Sequence, residues 1–345
     1  MAGTTGVGRK ALTAMRIQAP ARNRKLYFDG VSHARSARAA GSEEPVLIAR
    51  ILRLALLAGA LAVLGLAAVL AKATPIGWPW ALVVALALVP AGFALVLGAE
   101  FIAAALLGDR HWSGILPAWL GEVRASMRTF LFALPLHGGR APRSAAGERL
   151  PVVLVHGYFC NGAVWRPLAR HLAAAGHPLA AVDLERPFGP IDAHSATIAR
   201  AVAQVGGGRP VVLVGHSMGG LAIRAYLRES GAAGIAGVVT LGSPHRGTRA
   251  AALGRSPAAR QMRRGSEWLE ALATHEARRA QGAGERRHPP VCVVLTRNDN
   301  IVYPQAEQVL PGARVVRLDG VGHLDLVYRR SVWRLVEAEI TRLES

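Results

Sequence analysis

The chain changes its hydrophobic pattern once, near residue 108. Before that point apolar residues run on without interruption; after residue 150 short apolar runs alternate with helical periods. Residues 54–71 form an uncharged run of 18, extended upstream by residues 46–49 around Arg50 and Arg53, and residues 78–98 give 21 more, bounded by Glu100. Each is long enough to cross a hydrocarbon core about 30 Å thick at roughly 1.5 Å per helical residue. Residues 72–77 make a short turn between them. Trp78 and Trp80 stand where an interfacial aromatic belt belongs, and Pro90 is tolerable inside a membrane helix. A cleaved signal peptide fits less well, because the first run starts late and a second follows it. The expected element is a transmembrane helical hairpin over residues 46–107.

Residues 108–149 carry a different signal. Leu116, Trp119, Leu120, Val123, Met127, Phe130, Leu131 and Leu134 recur on one face of a helix, with Arg124 and Arg128 on the other side. Two readings are open. The helix either lies on a bilayer surface or packs its apolar stripe on the domain that follows. Residues 135–150, with Gly138, Gly139 and Pro142, read as a linker. From residue 150 the runs 152–155, 179–182, 210–214, 291–295 and 314–318 are short and β-branched, separated by helical stretches. That alternation predicts an α/β domain with a parallel sheet over residues 150–345.

Composition agrees with the division. Hydrophobic residues make up 51% and the mean hydropathy is +0.27, with the excess lying before residue 108. The net charge of +19 does not indicate nucleic acid, since no recognition motif or aromatic-interleaved basic stripe accompanies it. Its placement is more informative. Ten Lys and Arg residues precede residue 54 against Asp29, Glu43 and Glu44. The inter-helix turn holds only Lys72, and Arg110, Arg124 and Arg128 follow the second run. By the positive-inside rule both termini, and the domain after residue 150, face the cytoplasm. Residues 1–45 have the composition of a disordered basic segment, with Met15 as an alternative start. Residues 245–290 hold ten Arg against four Glu. This segment is read either as a basic, lid-like insertion that meets anionic headgroups, with Trp268 and Leu269 among its apolar contacts, or as a solvated helical excursion.

The chemistry lies in the α/β half. Gly215-His216-Ser217-Met218-Gly219-Gly220 follows a strand run and opens a helical one. Such a strand, tight turn and helix presents a serine hydroxyl at the apex, where a histidine can deprotonate it. An acid and then a histidine must come later, each on a loop after a strand. Asp299 follows the run 291–295, and His323 follows 314–318. His323 would serve as general base and then acid, and Asp299 would fix its tautomer. Asp325 and Asp183 are weaker rivals for the acid. After the first strand, His156-Gly157-Tyr158-Phe159 forms a turn whose amides can face a carbonyl oxygen. The Tyr158 and Met218 amides are the oxyanion candidates, with Phe159 as the alternative. His156 and His216 read as packing or hydrogen-bonding residues, whereas Phe159, His245 and Trp268 are the pocket candidates. Cys160 and Cys292 suggest no disulfide framework, and Cys160 reads as a small buried thiol.

The segments VHGYFCNG (155–162), VGHSMGG (214–220) and TLGSPHRGT (240–248), with the Asp299 and His323 loops, resemble the α/β-hydrolase superfamily, in particular its bacterial lipases and esterases. The resemblance covers roughly residues 150–345. It implies a mostly parallel sheet of about six strands with helices on both faces; the chain departs from the family's pattern in entering the domain directly at the oxyanion strand, without the superfamily's first two antiparallel strands. It also implies ester hydrolysis through an acyl-serine intermediate, with no metal and no organic cofactor. No acidic cluster suggests the calcium site that some such lipases carry. The expectation is therefore a serine carboxylic-ester hydrolase anchored in a bacterial inner membrane, its partners being the lipid bilayer and an acyl-ester substrate. An acyltransferase or thioesterase would use the same three residues. A non-catalytic transport-accessory or interaction protein would keep the fold alone.

Overall fold

The computed structural model describes residues 47–138, 141–184, 186, 188–281 and 288–344. The basic segment 1–45 falls outside them. Two long helices come first, α1 (Leu47–Ala73) and α2 (Gly77–Leu107). Both are long and apolar enough to cross a membrane, and little of either is buried within the protein. They pack on each other through alanines: Ala67, Ala81 and Ala85 are at most 1% exposed, with Val63, Leu70 and Leu82 around them. Small residues let helix backbones approach closely, while Leu57, Leu61 and Leu95 point outward. Helix α2 continues past the end of the uncharged run and carries Glu100 to Asn300 of the α/β domain. At the start of α1, Ile48 and Leu52 join that domain's core, and Arg53 Nε donates to the Pro135 carbonyl at 2.7 Å.

Helix α3 (Ile115–Met127) runs through a π-helical stretch, Arg128–Ala133, into α4 (Leu134–His137). Its buried face is not the apolar stripe that periodicity singles out. Ala118, Gly121, Glu122, Ala125, Ser126 and Thr129 face inward, whereas Leu116 and Leu120 are 64% and 55% exposed. Contact of α3 with the domain runs through small and polar groups, and of the stripe only Phe130 and Leu134, beyond α3, pack against the domain core. Thr129 Oγ1 donates to Tyr328 Oη at 2.8 Å, and the Arg128 guanidinium lies 5.0 Å from the Tyr328 ring centre. Trp119 turns the other way and donates from Nε1 to the Ala94 carbonyl of α2 at 2.8 Å.

The domain is a seven-stranded sheet. In chain order the strands are β1 (Arg143–Ser144), β2 (Val152–Val155), β3 (Leu179–Ala181), β4 (Val211–His216), β5 (Ile235–Leu241), β6 (Val291–Thr296) and β7 (Arg314–Leu318). Their spatial order is β1-β3-β2-β4-β5-β6-β7, all parallel except β1, which runs antiparallel to β3. The helices of this half are α5 (Arg166–Ala174), α6 (Ser195–Gly206), α7 (Met218–Ser230), α8 (Pro257–Gln261), α9 (Glu267–Gln281), α10 (Asp325–Tyr328) and α11 (Arg330–Arg342). Strands β2 and β4 are covered on both faces and therefore read as unbroken Val and Leu rather than as alternation. Two core clusters, one on each side of the sheet, bury alternate residues of these strands: Val152 and Leu154 on one side, Val153 and Val155 on the other.

The seventh strand departs from the expected six. Arg143–Ser144 lies in what the sequence presents as linker. It is a strand only because Pro142 O accepts from Ala181 N at 2.9 Å and the β3 edge is open beside it. Two residues leave no periodicity to read.

Candidate active site

Parallel strands open their crevice at their carboxyl ends, and the predicted residues gather there. Ser217 occupies the turn between β4 and α7 with φ 55° and ψ −128°, a region that side chains rarely adopt. The neighbouring glycines make the turn possible. A Cβ on Gly219 would collide with the Val155 carbonyl oxygen, and one on Gly215 would come within 2.7 Å of the Gly220 nitrogen. The first loop closes from the other side: a Cβ on Gly157 would sit 2.8 Å from Ser217 Cβ and 3.4 Å from its Oγ. Phe159, two residues on, also has φ 55°. Strain thus marks both halves of the predicted site. The amides of Tyr158 and Phe159 follow Gly157 in this loop, and that of Met218 follows Ser217. Met218 opens the 13-residue α7, whose positive end therefore faces the Ser217 turn.

The acid and the histidine meet. His323 Nδ1 donates to Asp299 Oδ2 at 2.9 Å, and Asp299 Oδ1 accepts from the amides of Ile301 (2.9 Å) and Val302 (2.6 Å). The rivals are engaged elsewhere. Asp183 accepts from Gly162 N at 2.6 Å, and Asp325 pairs with Arg329 at 2.5 Å. The His323–Asp299 pair adjoins the serine turn through strand β5. Ser217 N donates to Leu241 O at 2.9 Å, and a Cβ on the next residue, Gly242, would lie 3.1 Å from Asp299 Oδ2 and 3.3 Å from His323 Nδ1.

His216, immediately before the serine, lies against His323 with ring centres 4.7 Å apart and the rings tilted by 44°, and its Nε2 donates to the His323 carbonyl at 3.0 Å. Burial, and then the charge of His323, holds the His216 ring well below the ordinary histidine range. It is a neutral strut. His156 is likewise buried and pushed down, with Nε2 accepting from Leu184 N at 3.0 Å and Nδ1 donating to Gly157 O at 2.9 Å. For His323 burial also opposes the charged form, but the Asp299 carboxylate, its hydrogen bond, and the charges of Glu122 and Glu100 outweigh it, so its pKa is raised. Burial pushes the Cys160 thiol up to about 12, so it supplies no thiolate at neutral pH.

The pocket candidates separate. Phe159 stands in an aromatic group, its ring centre 6.2 Å from that of Phe130 and 5.9 Å from that of Phe188, which in turn meets Tyr158 edge-on at 5.5 Å. His245 is buried, with Nε2 and Thr240 Oγ1 in hydrogen bond at 3.0 Å. Trp268 is not brought to Ser217. Its Nε1 donates to Asp192 at 2.7 Å, and its ring lies under Arg228, eleven residues and about 16 Å along α7 from the serine. Helix α9 follows the same flank, tied by the Arg224–Glu276 pair at 2.7 and 2.8 Å. Of the basic insertion, the earlier part reaches the site: Ser256 Oγ lies 3.1 Å from Tyr158 Oη, and Thr248 Oγ1 donates to Ile301 O at 2.6 Å. Among the described residues, no group of three or more His, Cys, Asp or Glu is placed to hold a metal ion.

Sequence reasoning missed the groups behind His323, namely Glu122, Glu100 and Asn300, and the ring partners Phe130 and Phe188. A signal for Glu122 exists. The positions 118, 121, 122, 125, 126 and 129 form a second helical face of small residues with one acid at its centre.

Residues 152–332, more than half of the chain, match the model of the alpha/beta hydrolase family, and the chain belongs to that family. Among solved structures, the mature form of the Bacillus licheniformis lipase BlEst2 is similar with a TM-score of 0.48 and 17% identity, over 56% of this chain and 96% of that one. The Paleococcus ferrophilus monoacylglycerol lipase gives 0.43 and 18%, over 59% of this chain and 97% of that one. The esterase RhEst1 from Rhodococcus sp. ECU1013 gives 0.41 and 22%, over 58% and 92%.

Proposed function

We propose that the protein is a membrane-anchored serine hydrolase that cleaves carboxylic esters of lipids through an acyl-serine intermediate. The observation that carries this reading is the 2.9 Å bond from His323 Nδ1 to Asp299, adjoining a serine held at positive φ. With Nδ1 engaged, Nε2 is the nitrogen left to take the Ser217 proton. The serine oxygen then attacks the ester carbonyl. The oxyanion develops toward the amides of Met218 and of Tyr158 or Phe159, where each donor is worth about 3–4 kcal/mol of transition-state stabilisation. Imidazolium next to Asp299 returns the proton to the departing alcohol. Water, deprotonated by the same nitrogen, releases the acid.

Lipid as the source of the acyl group is supported by the exposed stripe of α3. Between α2 and α3 runs a groove of about 650 Å³, lined by Pro90, Ala94, Trp119, Leu120 and Met127, with Arg124 and Arg128 at its rim. An interfacial helix with this division fits the level of lipid headgroups. The hairpin is the proposed two-pass anchor. The arginine bias puts the hydrolase on the cytoplasmic side of the inner membrane.

The test is labelling of the detergent-purified protein with a fluorophosphonate. Wild type is expected to label and Ser217→Ala not to; a folded wild type that resists the probe removes the hydrolase reading and leaves the non-catalytic one. Turnover of p-nitrophenyl esters of graded chain length then reports acyl preference, and transfer to glycerol rather than water would indicate an acyltransferase. Protease protection of a C-terminal tag in intact spheroplasts is the expected outcome for topology.

A further inference from the structure

Two carboxylates from outside the family-matched region converge on the histidine loop. Glu122 of α3 is 2% exposed. Both of its oxygens accept from Leu324 N at 2.9 Å, and Oε2 accepts also from Asp325 N at 2.9 Å. These are the two amides that follow His323 in the chain. On the other side of the histidine the fit is as close: a Cβ on Gly322 would lie 2.8 Å from Glu122 Cβ. The second carboxylate acts through a relay. Glu100 of α2 accepts from Asn300 Nδ2 at 2.8 Å, and Asn300 Oδ1 accepts the backbone N–H of His323 at 3.1 Å.

We infer that Glu122, seconded by Glu100 through Asn300, is a positioning residue that holds His323 against Ser217 and places negative charge behind its ring. The inference rests on the proposed roles of Ser217, His323 and Asp299. Its content is that the membrane-proximal helices are part of the working site rather than only its tether.

The arrangement is chemically unusual for a merely structural contact. Loop amides are ordinarily met by a Ser, Asp or Asn close in sequence. Here a fully dehydrated carboxylate arrives from about 200 residues away. Burial drives the Glu122 pKa up to about 7, against the opposing pull of His323 and of the Leu324 and Asp325 amides, with Asp299 adding repulsion. The groups facing His323 are Asp299 from the β6 loop, Glu122 from α3, Glu100 from α2 and the neutral His216 from β4. Beside Glu122 stand Asp325 and its partner Arg329, with Arg124 two residues further on, on the outer side of α3.

The deciding experiment is the pH profile of kcat/KM, from pH 5 to 9, for full-length protein in detergent with p-nitrophenyl butyrate. The base must be neutral to act, so activity rises with pH through the His323 pKa. Glu122→Gln keeps the size of the side chain and removes its charge. It is expected to lower kcat roughly tenfold or more with little change in KM, and to move the acid limb to lower pH by about half a unit or more. Glu100→Gln is expected to move the limb in the same direction by less, and it leaves the Leu324 and Asp325 amides untouched. If Glu122→Gln does not fold, the Glu100→Gln profile decides. A loss of rate with an unmoved acid limb in both variants overturns the inference while leaving an active wild type intact. A wild type that neither labels nor turns over ester overturns the hydrolase reading and this inference with it.

Discussion

The hairpin and the sheet use the same few apolar residue types and put them in opposite places. In the sheet Val and Leu are inside: Val152, Leu154, Val212 and Val214 are fully buried. In the hairpin three alanines, Ala67, Ala81 and Ala85, fill the contact between the helices, and Leu57, Leu61 and Leu95 are 60%, 63% and 76% exposed. Water drives large apolar side chains inward, because the gain scales with the apolar area removed from it. Hydrocarbon, the proposed surroundings of the hairpin, exerts no such drive, so helices within it associate through whatever lets them pack most closely. Helix α3 stands between the two regimes. It shows leucines to the outside, as the hairpin does, while its small inner face carries the single acid that reaches the histidine loop.

The contrast can be broken experimentally, beginning with the largest effect. Ser217→Ala should lower ester turnover by about a millionfold yet leave the protein in the carbonate-washed membrane fraction. Loss of membrane retention in that variant would tie site and anchor together in a way the comparison denies. Next comes one substitution made in both regions. Leu154→Ala should cost about 2–5 kcal/mol in denaturant unfolding of the detergent-solubilised protein, whereas Leu57→Ala should cost under about 0.5 kcal/mol. Equal costs would mean that the outward face of the hairpin is covered by protein.

Glu122 gives a pH-dependent test of the seam. Its folded pKa of about 7 lies above the ordinary 4.5, so the folded state holds the proton more tightly than the unfolded state does. The stability this confers is complete below about pH 4.5 and is lost as the pH rises through about 7. The loss amounts to roughly 3 kcal/mol. Glu122→Gln should therefore flatten the fall in stability between pH 5 and pH 8, read as the difference in unfolding midpoints. The smallest effect is expected from Trp119→Phe, which removes the bond to Ala94 O and should cost about 1 kcal/mol, seen as easier protease cleavage between α2 and α3.

What the sequence determined by itself was short-range. Runs such as VVLV and VVLVGH specify buried parallel strands because covered strands need branched apolar residues at successive positions. The glycines around Ser217 specify the turn because any side chain there would strike backbone. The two uncharged runs specify helices that can cross a membrane because length and polarity alone decide that. The order of Ser217, Asp299 and His323 could be written down for the same reason, since each follows a strand end that is visible locally.

Tertiary structure decided the questions of partnership. It paired His323 with Asp299 rather than with Asp183 or Asp325, sent Trp268 to Asp192, and made Arg143–Ser144 a strand. It also turned the small face of α3, not its leucines, toward the domain, and so set Glu122 beneath the histidine. None of these follows from periodicity. A helical period says which residues share a face but not what that face will meet, and a carboxylate takes its role from the charge and the amides that packing brings to it across two hundred residues of chain.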